Sequence, residues 1–372
     1  MHPSRPAAPS LLSPWCTRFV LLACLPAMVA CAQAPGAAPA AGDGGDALCR
    51  ATALQRSKDP RVATMVDEAE RQHTAFGGQS IDAYGTLTQV GYHEAEFDRG
   101  PGDPVPAWQK VRSFWDALGE DLPPTLRGGD GEVVRLRPLR DRIGQLSAAR
   151  LQGLDGDAGR TGLSATEVGT VDSALQRAAL VDTPWSAAFI SYLARAAALA
   201  DSEFAFSDAH VRYVAAAFDA RTAERRGDWT DAAYAYRACD IARTTPRPGD
   251  LACFSRAGTA GLDDFASLAQ ALDERRAGHG WRAFPMHCEL VVQVDLGAAT
   301  FDAIGGNVVQ SVTRRRLELD AGPPPVLGAQ YQSALRDAAC GPAAGRAAPA
   351  AAKCADRHMS LQPWSVLLQY RK

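Results

Sequence analysis

From Val171 to the C-terminus the chain reads as two helices followed by a succession of strands, and this segregation limits the fold more than any other feature. Helices gathered ahead of strands point to an α+β domain with antiparallel pairing. "AFISYLARAAAL" (188–199) and "SDAHVRYVAAAF" (207–218) carry the helical pattern, the first capped by Asp182 or Thr183 with Pro184 at its first position. "PRPGDLACFSR" (246–256) is a turn into a strand, and "HCELVVQVD" (287–295) is a strand. "TFDAIGGNVVQSV" (300–312) is a strand broken by two glycines, "TRRRLELD" (313–320) another, and "PWSVLLQYRK" (363–372) a closing strand. Upstream, helices are expected over Asp59–Phe76 and Ala107–Gly119, each ended by glycine. Residues 120–171 read as an insertion, with a turn feeding a strand at "RGGDGEVVRLRPL". Its "GLDGDAGRTGLSATE" is not a calcium loop, because Arg160 and Thr166 occupy the sixth and twelfth positions counted from Asp155.

The N-terminus predicts export. Arg5 and Arg18 precede "FVLLACLPAMVA" (19–30), too short to span a bilayer and the right length for a signal-peptide core. "MVAC" resembles a lipobox that would lipidate Cys31 as the mature first residue; ordinary cleavage near "ACAQA" is the other route. The expected organisation is a signal peptide over 1–31, a flexible Ala/Pro/Gly tether over 32–47 and one domain over 48–372. No transmembrane helix is expected in the mature chain. A formal net charge of −3, from 39 basic and 42 acidic residues, offers no stripe for phosphates and makes nucleic acid a poor partner.

Six cysteines follow the leader: Cys49, Cys239, Cys253, Cys288, Cys340 and Cys354. In an oxidising compartment an even number implies disulfides. Cys340 and Cys354, bracketing a floppy loop, are the expected pair, with a second bridge or plain thiol packing open among Cys239, Cys253 and Cys288. Neither CxxC nor HxxxH spacing supports a metal, so no cofactor is expected.

Ser186 starts a helix, where amides and the positive dipole end favour a nucleophile and an oxyanion. His287, heading an apolar strand, suits a general base, and Asn307, after Gly305 and Gly306 on the next strand, suits the group that orients it. The ordered set "TPWSAAF", "PRPGDLACFSR", "HCELVV" and "AIGGNVVQSV" resembles the DUF2272 family and, more distantly, the CHAP and NlpC/P60 peptidoglycan hydrolases. That resemblance implies a papain-like α+β fold with the nucleophile helix packed on an antiparallel sheet. It also implies an exported amidase or endopeptidase acting on peptidoglycan or another peptide-like substrate. Ser186 then stands at the nucleophilic cysteine, His287 at the base and Asn307 at the terminal polar residue; beside this likeness, Trp185, His210 and Gly306 are the candidate substrate-binding residues. A serine hydroxyl does not ionise as a thiolate does, so a pseudoenzyme that binds cell-wall peptide or a protein partner is the alternative. Both readings require the Ser186 hydroxyl to face the His287 imidazole across one groove.

Overall fold

The computed structural model describes residues 43–96, 105–119, 125–127, 133–152, 163–228, 233–256, 262–276, 285–331 and 358–372. The expected signal peptide, most of the expected tether, residues 153–162 of the calcium-like stretch, and Cys340 and Cys354 lie outside the described residues.

A mostly antiparallel sheet organises the chain, and its strands are β1 (Ser80–Ile81), β2 (Leu87–Gln89), β5 (Tyr236–Cys239), β6 (Leu251–Ser255), β7 (Met286–Asp295), β8 (Thr300–Val308), β9 (Ser311–Asp320), β10 (Val326–Leu327) and β11 (Trp364–Tyr370). Their order is β2-β1-β9-β8-β7-β6-β11-β5, with β10 on β9 and β1 parallel to β9. The protein is therefore α+β. The closing strand β11 is interior, between β6 and β5. A separate two-stranded piece joins β3 (Thr125–Arg127) to β4 (Val133–Arg135).

Alternation along the strands divides the core in two. Cys253, Cys288, Leu290 and Leu368 join one apolar cluster with α2 (Pro60–Ala75), α3 (Ala107–Asp116), α6 (Ser186–Ala196) and α7 (His210–Arg225). Phe254, Val291, Phe301, Leu317 and Trp364 join the other. Several local expectations are revised. Asp59 caps α2 by accepting from the Arg61 amide, and Gly77 and Gly78 follow its end at positive φ. By contrast, Asp182 closes α5 (Ala165–Asp182) and Thr183 is its C-cap, because a residue before proline is pushed to extended backbone. Helix α6 starts two residues past Pro184, with Trp185 as N-cap and no side-chain cap. Likewise α7 begins at His210, while the Ser207 hydroxyl accepts from the Ala209 amide in the preceding turn. The insertion contains helix α4 (Leu136–Gln152) as well as the start of α5, and α8 (Phe265–Arg276) interrupts the run of strands. Helix α1 (Asp43–Thr52) takes the last residues of the expected tether.

The described residues contain two disulfides, Cys49–Cys239 and Cys253–Cys288. The first ties α1 to β5, and the second crosses between paired positions of β6 and β7. Among the described residues no helix is long and apolar enough to cross a membrane.

Candidate active site

Ser186 enters α6 from a short link, and its Oγ lies 2.7 Å from His210 Nε2. The helix that follows supplies both this imidazole and, one turn on, Tyr213, whose hydroxyl meets His210 Nδ1. With the ring proton on Nδ1 and donated to the phenol oxygen, Nε2 accepts from the serine hydroxyl, the arrangement a general base needs. Burial, then the neighbouring His287 and Arg256, holds the His210 pKa well below its ordinary value, so the ring is neutral. Burial likewise pushes the Tyr213 hydroxyl well up and keeps it protonated.

His287 does not take the expected place. Successive side chains of a strand face opposite sides, and Cys288 points to the helical layer, so His287 turns the other way. Its ring packs on Phe254, 5.1 Å between centroids, and approaches His210 at 5.2 Å. The link to Ser186 is Arg256, just beyond β6. Its Nη2 donates to His287 Nδ1 at 2.9 Å and makes a long contact to Ser186 Oγ at 3.5 Å. Accepting from Arg256 at Nδ1 leaves the His287 proton on Nε2, which faces Glu289 Oε1 at 3.4 Å without hydrogen-bond geometry. Burial lowers the His287 pKa to about 4, despite the opposing pull of Glu289. Burial alone would raise Glu289, but Arg315 and His287 outweigh it and hold this carboxyl below its usual range. Arg315 Nε spans both Glu289 oxygens at 3.1 Å, while its Nη1 donates to the Met359 carbonyl and Ser360 Oγ.

Asn307 also departs from expectation: its amide donates to Glu94 Oε2 at 2.8 Å rather than to an imidazole. The same oxygen accepts from Trp185 Nε1 at 2.5 Å. Asn307 has φ +54, a left-handed turn that carries its side chain away from the strand's regular alternation. Trp185 is fully buried, among Phe76, Phe114 and Phe189, and belongs to the core rather than to a cleft wall. Gly306 is where α6 meets the sheet, since a Cβ there would come within 2.7 Å of Phe189 and Trp185 atoms. At Gly305 a Cβ would meet Glu289 Cγ at 2.8 Å and His287 Nε2 at 3.0 Å, so the glycine makes room for that pair.

Arg256, Tyr213, Glu289 and Glu94 were not anticipated. Two had a local signal: Tyr213 is three residues after His210 on a helix, and Glu289 shares a strand face with His287 two residues earlier. Glu94 arrives from a loop far upstream and leaves no trace in the local pattern. Among the described residues no group of three or more His, Cys, Asp or Glu could hold a metal ion.

A family model described as "Uncharacterized protein conserved in bacteria (DUF2272)" matches residues 152–369, more than half of the chain. The chain belongs to the DUF2272 family, and the match spans every one of these site residues except Glu94. No curated protein and no solved structure matches it.

Proposed function

We propose that this protein is an exported acyl hydrolase of the bacterial envelope, with Ser186 as nucleophile and His210 as base, cleaving an amide in peptidoglycan peptides. The observation that carries the proposal is the 2.7 Å contact between Ser186 Oγ and a neutral imidazole at the start of a helix without a side-chain cap. Attack by Oγ on the carbonyl carbon passes the hydroxyl proton to His210 Nε2, which returns it to the leaving amine; water then releases the acyl group. Amides in the first turn of α6 offer the oxyanion their N–H groups. The fold is read as a papain-like variant in which the base comes from α7 instead of the sheet. The leader with its lipobox-like "MVAC", and two disulfides, support an envelope location, with Cys31 as the lipid anchor. The peptidoglycan assignment rests on the likeness to CHAP and NlpC/P60 hydrolases.

Turnover is expected to be slow. A neutral phenol stands behind His210 where an Asp–His–Ser site has a carboxylate, so the imidazolium formed during attack gains no ion pair from it. Burial of Ser186, His210 and His287, all under 5% exposed, favours a second reading in which the cleft binds peptide without cutting it. Purified muropeptides incubated with wild type, Ser186→Ala and Ser186→Cys separate the two. Hydrolysis appears as new product masses with wild type that are lost in Ser186→Ala. Identical product profiles from wild type and Ser186→Ala, with tight binding retained, would leave only the binding protein.

A further inference from the structure

We propose that Arg256 is a catalytic residue of this site, the side-chain donor to the oxygen that becomes negative when Ser186 attacks, and that His287, Glu289 and Arg315 hold it in place. The inference rests on the reading of Ser186 as nucleophile.

An attacked acyl or phosphoryl oxygen is bonded to the same centre as serine Oγ. A donor already within 3.5 Å of Oγ is therefore aimed close to where that charge develops. The position of Arg256 is heavily determined. Its backbone N–H donates to the Pro285 carbonyl at 2.9 Å, fixing the ends of β6 and β7 together. Its guanidinium is held by His287 Nδ1, and His287 stands 3.4 Å from the carboxylate of the Glu289–Arg315 pair, which is anchored in turn on Met359 and Ser360. His287, Glu289 and Arg315 are each no more than 3% exposed. Burying so many charged and polar groups is costly, and it is a poor way to fill a core that apolar residues would fill more stably. The charges also fit the reaction. When His210 becomes an imidazolium beside Arg256, two positive groups face each other, and the oxyanion formed in the same step offsets them. The sequence-based assignment of His287 as base is thereby replaced: it is a positioning residue, reaching the reaction through a guanidinium.

The test uses the full-length chain and a fluorophosphonate, which needs no knowledge of the natural substrate. In the labelling step the Ser186 Oγ–P bond forms and the P–F bond breaks. Fluoride leaves with the electron pair, the hydroxyl proton goes to His210 Nε2, and the phosphoryl oxygen takes the place of the oxyanion. Intact-protein mass spectrometry should show one adduct on wild type and none on Ser186→Ala. Arg256→Ala should label about 100-fold more slowly, Arg256→Lys should fall between, and added guanidinium should restore the rate of Arg256→Ala but not of Ser186→Ala. Glu289→Gln should lower the maximal labelling rate while leaving the probe concentration for half-maximal rate unchanged, a split that general loosening of the fold would not give. Labelling of a folded Arg256→Ala or Arg256→Lys at the wild-type rate would overturn the role of Arg256 while sparing that of Ser186. Wild type that resists labelling would overturn both.

Discussion

Replacing Glu94 by glutamine isolates what one buried carboxylate does beside the helix that Ser186 begins. Glu94 is 4% exposed, and its Oε2 holds both Trp185 Nε1 and Asn307 Nδ2. Burial pushes its pKa from 4.5 to about 6, against the pull of the Trp185 hydrogen bond. At about 1.36 kcal/mol for each pH unit of displacement, the ionised form costs the fold about 2 kcal/mol. The sign follows from proton linkage: between pH 4.5 and 6 the folded chain holds this proton more tightly than the unfolded chain, so stability falls as pH rises through that window. Glutamine keeps the acceptor for Trp185 and Asn307 and removes the charge. Urea denaturation of both proteins from pH 4 to 8 should therefore show the variant gaining on wild type between pH 4.5 and 6, reaching an advantage of up to about 2 kcal/mol at pH 8. His287, with its pKa lowered to about 4, slopes the other way in the same range, losing stability as pH falls from 6.5, but it is common to both proteins and cancels in the difference. Glu94→Ala should invert the result, because it orphans the buried Trp185 donor at on the order of 1–3 kcal/mol, together with the half-buried Asn307 amide. A glutamine-minus-wild-type difference that stays flat with pH would refute the reasoning.

Four further outcomes are expected. Gly306→Ala should destabilise by about 1–3 kcal/mol in chemical denaturation, since its Cβ would press on Phe189 and Trp185. Non-reducing peptide mapping should recover Cys49–Cys239 and Cys253–Cys288 as linked peptides; loss of the first by Cys49→Ala with Cys239→Ala should cost about 3–5 kcal/mol, because it closes a loop of 190 residues. The His287 ring, followed by NMR, should stay neutral down to about pH 4 and titrate near pH 6.5 only on unfolding. Tyr213→Phe should slow hydrolysis of muropeptides several-fold with little change in KM, because the phenol fixes the His210 tautomer without touching substrate.

Much of the architecture was legible because periodicity is local. The apolar run of β7, the alternating Arg316–Asp320 end of β9, the amphipathic turns of α2, and the glycines past α2 and α3 announce themselves within a dozen residues. Helix α8 and β5 were not, since α8 is a twelve-residue helix that closes on four consecutive charged residues amid strand motifs and β5 spans only four residues. At the site, the position of Ser186 at a helix start was readable, whereas the partner of its hydroxyl was not. That partner depends on how α7 packs beside α6 and on which side of β7 each residue faces, and an apolar strand buried on both sides does not reveal its facing. Arg256 ends a strand motif that reads as packing, and only the folded strand pair brings it between Ser186 and His287.

Which imidazole serves Ser186 decides the proposed chemistry, and the rate of fluorophosphonate attachment to His210→Gln and His287→Gln measures that directly. A base in contact with the hydroxyl contributes about 100-fold or more. Labelling of Ser186 should therefore collapse by that factor in His210→Gln and fall less in His287→Gln, where only the seating of Arg256 is disturbed. Wild-type labelling in His210→Gln, with loss confined to His287→Gln, would contradict the account.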